Sequence, residues 1–530
     1  MATESQASTS PWTPLESPLF RNLWIATLVS NVGSWMQDVG AGWLMTELSS
    51  SPSMVALVEA ADSIPMMLLA LPAGAIADIV DRRRLLIFAQ LYLLLVAGAL
   101  GVLTLLGLTT AWLLLGLTFA LGVGAALMMP AWSAIVPDLV PTEQLSSAVA
   151  LNSVAINASR AIGPAIAGLL VAAVGPWLVF ILNALSYVGI VAVLVRWHRE
   201  HRKSTLPAER FLSAIRIGMR FVMHAPALKV VLIRGGAFFL FASATWSLFP
   251  LIVRRELQRG PEVYGMLLTC IGVGALIGAM LLPSIRAMVS RDVLVAGASA
   301  LYALAALALA LVHNVALLAV AMLATGMAWI AILSALQVSA QMTLPPWVRA
   351  RGLAAFLVVF MGGMALGSIL WGQVATRIGI PAALTTAALG IVLGIAVTWR
   401  SKLGEHQVLD FKPAMDWPLP VLAETPEPDV PVLVTIDYHT RLDKRAEFVA
   451  AMQHVREMRR RNGAYFWQLF HDSENPTHFV EVFMDESWME HLRQHERASV
   501  ADREIQRRAK QYLLDGTSTK SSHYLADRES

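Results

Sequence analysis

Apolar stretches long enough to cross a lipid bilayer follow one another through residues 20–399 of this chain. A membrane-spanning helix needs roughly 20 predominantly apolar residues. Twelve candidate spans meet that need, at 20–47, 53–78, 85–107, 110–136, 145–172, 176–196, 229–253, 262–285, 292–312, 314–338, 350–376 and 380–399. A longer polar segment between the sixth and the seventh divides them into six plus six. Composition closes off the alternative of a water-soluble core. The 530 residues are 56% hydrophobic and only 15% charged, whereas an average soluble chain is about a quarter charged. The expected fold class is therefore an all-α polytopic membrane protein, followed by a smaller region of different character.

Several function classes fall away on the same grounds. The formal charge of +3 is small and its basic residues are spread over short loops and the C-terminal third, so nucleic acid is not an expected partner. The single cysteine, Cys270, lies in an apolar run; it excludes an intramolecular disulfide and a thiolate zinc site. No segment of the form GxxxxGK[ST] occurs, so ATP hydrolysis is not expected. The first twenty residues are rich in Ser, Thr and Pro without an early basic region, unlike a signal peptide.

Lys and Arg in short loops stay on the cytoplasmic side. With the N-terminus inside, the inner loops hold Arg82, Arg83, Arg84, Arg286, Arg291, Arg349 and Arg351, and the central loop holds eight more from Arg196 to Lys229. The outer loops hold only Arg254, Arg255, Arg259 and Arg377. The expected location is the cell (inner or plasma) membrane, with both termini cytoplasmic. The expected divisions are an N-terminal tail (1–19), a first six-helix bundle (20–196), a basic loop (197–228), a second bundle (229–400), a Pro-containing linker (401–431) and a C-terminal domain (432–526).

Within the basic loop, Leu212, Ile215, Met219 and Val222 recur at helical spacing while Arg216 and Arg220 share another face. That pattern predicts either an amphipathic helix lying on the anionic inner leaflet or a solvated basic linker. After the linker, VLVTIDYHT alternates as a strand does, and DKRAEFVAAMQHVREMRRRNG reads as a helix stopped by Gly463. Strand-like AYFWQLFHD and THFVEVFMD follow, then a helix from Glu486 to Leu514 and a last strand in TKSSHYLA. The order βαββαβ is that of a ferredoxin-like α+β domain. Its alternating apolar residues predict one sheet face covered by helices and another, partly apolar, that supports self-association.

Ionisable residues inside membrane spans cost at least about 2.5–3.5 kcal/mol at a helix centre and are functional candidates by default. Asp38, Glu59 and Asp62 fall at similar depth in the outer half of the first two spans, counting ~1.5 Å per residue. Arg160, in the fifth span, falls near the midplane. An acidic cluster facing an arginine across a cavity in the first bundle is the expected substrate and proton pathway.

Between the second and third spans stands GAIADIVDRRRLL, with Gly74, Asp78, Asp81, Arg82, Arg83 and Arg84. Together with FRNLW (20–24) and the spacing of Ser30, Gly33, Trp35 and Gln37, it resembles the major facilitator superfamily, in particular its enterobactin-exporter-like branch, the transmembrane secretion effectors. Ile79 and Asp81 depart from the superfamily motif, which usually has a basic residue and a glycine there. The resemblance implies a cytoplasmic gate in which Asp78 meets the start of the eleventh span near Arg349 or Arg351, with Gly74 allowing close helix approach. SRAIGPAIAG (159–168) likewise resembles the superfamily's helix-five antiporter motif through Gly163, Pro164 and Gly168. Ser159 and Ala167 replace glycines of that motif, and the fourth span lacks the arginine of many proton-driven relatives.

The resemblance implies a secondary active transporter, an exporter of an amphipathic small molecule of siderophore-like or drug-like kind, working by alternating access, with protons as the candidate coupling ion. It implies no catalysis, no cofactor and no metal; the partners are the small-molecule substrate, the bilayer and, through the C-terminal domain, a second copy. The rival reading comes from the C-terminal domain, which resembles antibiotic-biosynthesis-monooxygenase-type modules. There Trp467, His471, Trp488, His491 and His495 form the candidate pocket of a membrane-anchored oxygenase or haem-binding protein. Two histidines one helical turn apart, without a third ligand, are a weak metal signal.

Overall fold

The computed structural model describes residues 10–197, 211–345, 347–403, 430–497, 499–514, 516–517 and 519–527. Most of the expected linker, the start of the N-terminal tail and the first part of the basic loop therefore lie outside the described residues. Thirteen helices precede the C-terminal region: α1 (Pro18–Leu48), α2 (Pro52–Ile79), α3 (Arg82–Leu105), α4 (Ala111–Leu139), α5 (Leu145–Ala173), α6 (Pro176–Arg196), α7 (Phe211–His224), α8 (Pro226–Leu251), α9 (Pro261–Met288), α10 (Arg291–Leu311), α11 (Val315–Met342), α12 (Arg349–Ile378) and α13 (Ile380–Thr398). Eleven of the described helices are long and apolar enough to cross a membrane. The twelfth candidate, α1, has the length, at 31 residues, but Asn22, Asn31, Gln37 and Asp38 dilute it below the apolarity of the others.

Local chemistry sets the helix ends. Proline opens α1, α2, α6 and α9, where its missing N–H is no loss and its φ is already helical. The hydroxyls of Thr110 and Ser290 accept from Leu113 N at 3.3 Å and Val293 N at 3.4 Å, capping α4 and α10. The two bundles end alike: Gly175, at φ 112°, turns α5 into α6, and Gly379, at φ 86°, turns α12 into α13. Both turns use the left-handed backbone that favours glycine.

The chain forms two compact units. The first holds residues 1–205, 232–337 and 356–402. At one of its ends a single apolar core takes in Val39 and Leu44 of α1, Val55 of α2, Leu100 of α3, Leu114 of α4, Val171 of α5 and Phe180 of α6, together with residues of α8 to α13 such as Phe249, Leu267, Leu318 and Leu384. At the opposite end the core around Phe20, Leu86, Ile135, Leu151 and Leu194 draws only on α1, α3, α4, α5 and α6. There the second set of helices is tied separately. Buried Arg234 of α8 pairs with Asp292 of α10 at 2.5 Å and donates to the Thr398 carbonyl of α13 at 3.0 Å.

The second unit holds residues 206–231, 338–355 and 403–530. Its sheet contains β1 (Val432–His439), β2 (Phe466–His471), β3 (His478–Asp485) and β4 (Lys520–Leu525), all antiparallel in the order β2-β3-β1-β4. One face is covered by α14 (Arg445–Asn462), α15 (Trp488–Arg497) and α16 (Val500–Lys510), around Val434, Phe448, Val455, Phe479 and Phe483. The second helix expected from the sequence is two. Ser499 starts α16 with a capping box, its hydroxyl accepting from Asp502 N at 3.2 Å while the Asp502 carboxylate accepts from Ser499 N at 3.0 Å. Two helix-start donors satisfied at once outweigh continuing the preceding helix.

The amphipathic segment of the basic loop is α7, and its basic face meets protein rather than being left for the leaflet. Arg220 Nη2 lies 2.5 Å and Arg216 Nη1 3.2 Å from Glu486. Arg220 Nη1 also donates to the Gly463 carbonyl at 3.0 Å, and Phe221 packs edge-on against Trp347 with centroids 5.7 Å apart.

Candidate functional site

Between Met36 and Thr46 every residue of α1 is buried except Asp38, which is exposed. Asp62 is likewise exposed between buried Ala61 and Ser63, and Glu59 is half-buried. Exposed carboxylates on helix turns packed all round face an internal space. Asp38 lies within electrostatic reach of Asp62 and Glu59, so the structure brings the three acids together. No described residue forms a hydrogen bond or ion pair with any of them.

The walls around the acids differ in chemistry. On the α6 side, Asn183 Nδ2 donates to Tyr187 Oη at 3.3 Å and to Gln37 Oε1 at 3.4 Å, and Tyr187 feels the charges of Asp38 and Asp62. On the α9 and α10 side, Tyr264 feels Asp38 and Glu59, and Tyr302 feels Glu59. Tyr302 belongs to an aromatic group in which Trp329 lies 6.2 Å from it, 5.4 Å from Trp246 and 6.0 Å from Phe360. The sequence reading did not single out Asn183, Tyr187 or these aromatics, because their helices place them there and no local motif marks them.

Arg160 makes no ion pair with the acids among the described residues. Its guanidinium sits over the Trp35 ring, 5.5 Å from the centroid, and its Nε is buried without a hydrogen-bond partner. The rotation of α5 brings it against α1, where the ring face of Trp35, one turn before Asp38, stabilises the cation.

The helix-five residues make close contacts. A Cβ on Gly163 would lie 2.6 Å from Trp35 Cβ, and one on Gly168 would lie 2.7 Å from the Pro261 carbonyl oxygen and 3.0 Å from Gly265 Cα. Pro164 presents its carbonyl to Gly265, so α5 touches α1 with one face and α9 with another. The same end is bound by polar contacts: Arg254 donates to Thr46 Oγ1 at 2.8 Å and lies over Trp43 at 5.7 Å, Arg255 donates to the Ser50 carbonyl, and Ser53 meets Thr376 at 2.9 Å. Arg254 and Arg255 reach these partners because the end of α8 widens into a π-turn over Ile252–Glu256.

The motif between α2 and α3 closes helix ends. A Cβ added at Gly74 meets nothing within 4 Å, so no helix packs closely there in this conformation. Asp81 caps α3, its Oδ1 accepting from Arg84 N at 2.9 Å. Arg83 donates to the Leu194 and Val195 carbonyls at 2.7 and 2.8 Å and so caps α6. The side chain of Asp78 lies outside the described residues; Arg349 is exposed, and Arg351 packs against Gly218 of α7, where a Cβ would meet its side chain at 3.0 Å.

In the C-terminal region the five residues of the rival pocket divide, with Trp488, His491 and His495 in one group, the Trp488 ring 5.5 Å from that of His491. Trp467 donates to buried Glu481 at 2.9 Å, and exposed His471 lies at the end of β2. His491 and His495 line a cavity of about 360 Å³ that Trp467, His471 and Trp488 do not line. His523 of β4, unremarked in the sequence, joins them there. Burial, with His491 and His523 beside it, lowers His495 to about 4.

Comparison with known proteins gives a consistent picture. The Staphyloferrin A transporter of Staphylococcus aureus is 27% identical over 256 residues, 48% of this chain and 64% of its own length. Macrolide efflux protein A of Streptococcus pyogenes is 24% identical over 50% of this chain and 65% of its own length. The chain thus spans somewhat under two thirds of these relatives. The multidrug efflux pump Tap of Mycobacterium tuberculosis is 25% identical over 75% of this chain and 96% of its own length. A bacterial homologue of the human lysosomal transporter Spinster, solved inward-facing and unoccupied, superposes with a TM-score of 0.59 at 14% identity, covering 73% of this chain and 97% of that one. The nucleoside transporter NupG gives 0.61 at 11% identity, with 72% and 99% covered. These likenesses fix the fold of the helical part, and the model of one family matches residues 9–530. The chain belongs to the transmembrane secretion effector family.

Proposed function

We propose that this protein is a secondary exporter of amphipathic, positively charged small molecules, with α1 completing a twelve-span major facilitator fold and both termini cytoplasmic. The observation that carries the reading is the trio Asp38, Glu59 and Asp62, which has no cationic partner among the described residues. Carboxylates in membrane spans require neutralisation, and a substrate cation or a proton supplies it in turn. The aromatic group around Trp329 gives the apolar part of such a substrate its surface. Relatives named for a siderophore, a macrolide and multiple drugs support export of sizeable amphipathic molecules.

The core shared by both sets of helices at one end, and at the other a core that holds no residue of α8 to α13 among the described residues, support an inward-open state, with Arg254, Arg255 and the α5–α9 contact on the outer side. In the opposite state Asp78 meets the start of α12, and the open space at Gly74 is then filled. The deciding experiment is efflux from proteoliposomes, with and without an imposed proton gradient, of a panel matched in size and differing in charge. Preferential export of cations is expected; equal export of anions rejects the substrate class.

Orientation has its own test. On a Cys270→Ala background, Ser51→Cys and Pro261→Cys are expected to react with an impermeant thiol reagent from outside, and Arg83→Cys and Ser204→Cys only after permeabilisation. External labelling at position 83 would overturn the topology.

The C-terminal domain, ferredoxin-like in strand order, acts in this reading as a regulatory and assembly module. Its open sheet face carries exposed Phe466, Phe470 and Tyr524, a surface suited to a second copy. Its hold on α7 runs through Glu486. Arg216 is largely exposed, at 58%, whereas Arg220 is 19% exposed and makes the shorter contact. A hydrogen bond to a charged group contributes about 1.5–3 kcal/mol when shielded and an exposed pair under about 1 kcal/mol. Glu486→Ala and Arg220→Ala are expected to speed amide exchange in α7 by about tenfold or more, with Arg216→Ala changing it little. Equal effects of the two arginines would place the hold elsewhere.

A further inference from the structure

Three imidazoles converge in the cavity of the C-terminal domain. His491 and His495 lie one turn apart on α15, and His523 comes from β4, where it pairs in register with Val434 of β1. One ring nitrogen from each lies within 4.8 Å of those from the other two, and the Nε2 atoms of His491 and His495 are 3.1 Å apart. Two ligands of a tetrahedral ion bound at ~2.0–2.1 Å sit roughly 3.4 Å apart, so these two rings already have the spacing of a shared ion, and His523 needs a small side-chain rotation to join them.

The support behind the rings points the same way. His491 is buried, and its Nδ1 lies 2.8 Å from Oδ2 of Asp485. Asp485 is fully buried and its other oxygen accepts from Gln494 Nε2 at 3.0 Å. A carboxylate behind one nitrogen fixes the tautomer and aims the other nitrogen outward, the arrangement that orients metal-binding histidines.

We propose that His491, His495 and His523 bind a divalent transition metal of the imidazole-preferring class, of which Zn²⁺ is the probe, with Asp485 positioning His491 and a fourth coordination position open to the cavity. The site requires no activity of the domain and is independent of the transport reading.

The test uses untagged full-length protein in detergent, stripped with chelator and titrated with Zn²⁺ by calorimetry in buffers of different ionisation enthalpy. One ion per chain is expected. Asp485→Asn is expected to weaken binding by roughly 10- to 100-fold, and His495→Gln/His523→Gln to remove the site. Absence of a stoichiometric site in the parent protein overturns the proposal, as does unchanged binding in the double variant. If the double variant does not purify, His523→Gln on edge strand β4 decides alone: unchanged affinity rejects the site, and a loss of tenfold or more upholds it.

Discussion

Asp38→Asn and Asp62→Asn are each expected to lower export of a cationic substrate by roughly 10- to 100-fold while leaving the protein folded in the membrane. The magnitude follows from losing one charge-assisted contact, about 1.5–3 kcal/mol, at about 1.4 kcal/mol per factor of ten. Asparagine keeps the shape and some hydrogen-bonding capacity of each side chain, so a loss of transport reports the charge. Both residues are exposed within otherwise buried turns, which is where a substrate can reach them. Glu59 is half-buried, so Glu59→Gln is expected to have the milder effect. Arg160 supplies the control. Stacked on Trp35 at 5.5 Å, it acts on the α1–α5 contact, and Arg160→Gln is expected to alter protein stability more than affinity for a cation. Radiolabelled substrate binding and efflux measured at matched reconstitution separate the cases. Normal export by both aspartate variants would reject the acidic trio as the site.

The parts of this architecture that length and periodicity govern were open to reading from residues alone. A membrane core demands about twenty apolar residues per crossing, and the helices keep to the expected spans within a few residues, apart from the polar dilution of α1. The order of strands and helices after the linker was legible in the alternation of VLVTIDYHT and THFVEVFMD. Azimuth was not. Counting residues gives the depth of Arg160 but not the direction it faces, and the structure turns it to Trp35. The break before α16 did carry a signal, since Ser499 and Asp502 have capping-box spacing, but the helical period continues across it. His523 carried none: it lies in the last strand, and only the pairing of β4 with β1 brings it to the histidines of α15. The motif glycine Gly74 shows a further limit. Its motif marks close helix approach, and a Cβ added there meets nothing within 4 Å in this structure.

Glu481→Ala is expected to cost the C-terminal domain about 3–5 kcal/mol, the usual penalty for stranding a buried charge. Strand alternation sets Glu481 on the same face of β3 as Phe479 and Phe483, toward the helices, and it is fully buried there. Three donors converge on its carboxylate: Arg459 Nε at 3.0 Å, Trp467 Nε1 at 2.9 Å and Tyr438 Oη at 2.7 Å. Burial, with the charge of Glu481 beside it, raises the Tyr438 hydroxyl well above its ordinary range, so it remains a donor at neutral pH. Truncating Glu481 takes from the Arg459 guanidinium, itself buried over the Phe483 ring at 4.3 Å, the carboxylate it pairs with, leaving Asp485 as the remaining anion within its electrostatic reach. Against a domain stability of about 5–15 kcal/mol, that loss leaves the fold marginal. Amide exchange of β1 and β3 in the full-length protein should therefore quicken by roughly a hundredfold to several thousandfold, at about 1.4 kcal/mol per factor of ten. Replacing Tyr438→Phe, Arg459→Met and Glu481→Met together should recover much of the stability, because an apolar set of similar volume removes the desolvation cost along with the ion pair, less the cost of leaving buried Trp467 Nε1 without its acceptor. Protection in Glu481→Ala within about tenfold of the parent would mean that water reaches Arg459 and that the pair is not a buried one. A triple variant no more protected than Glu481→Ala would mean that the fold needs the polar group for its geometry rather than for charge balance.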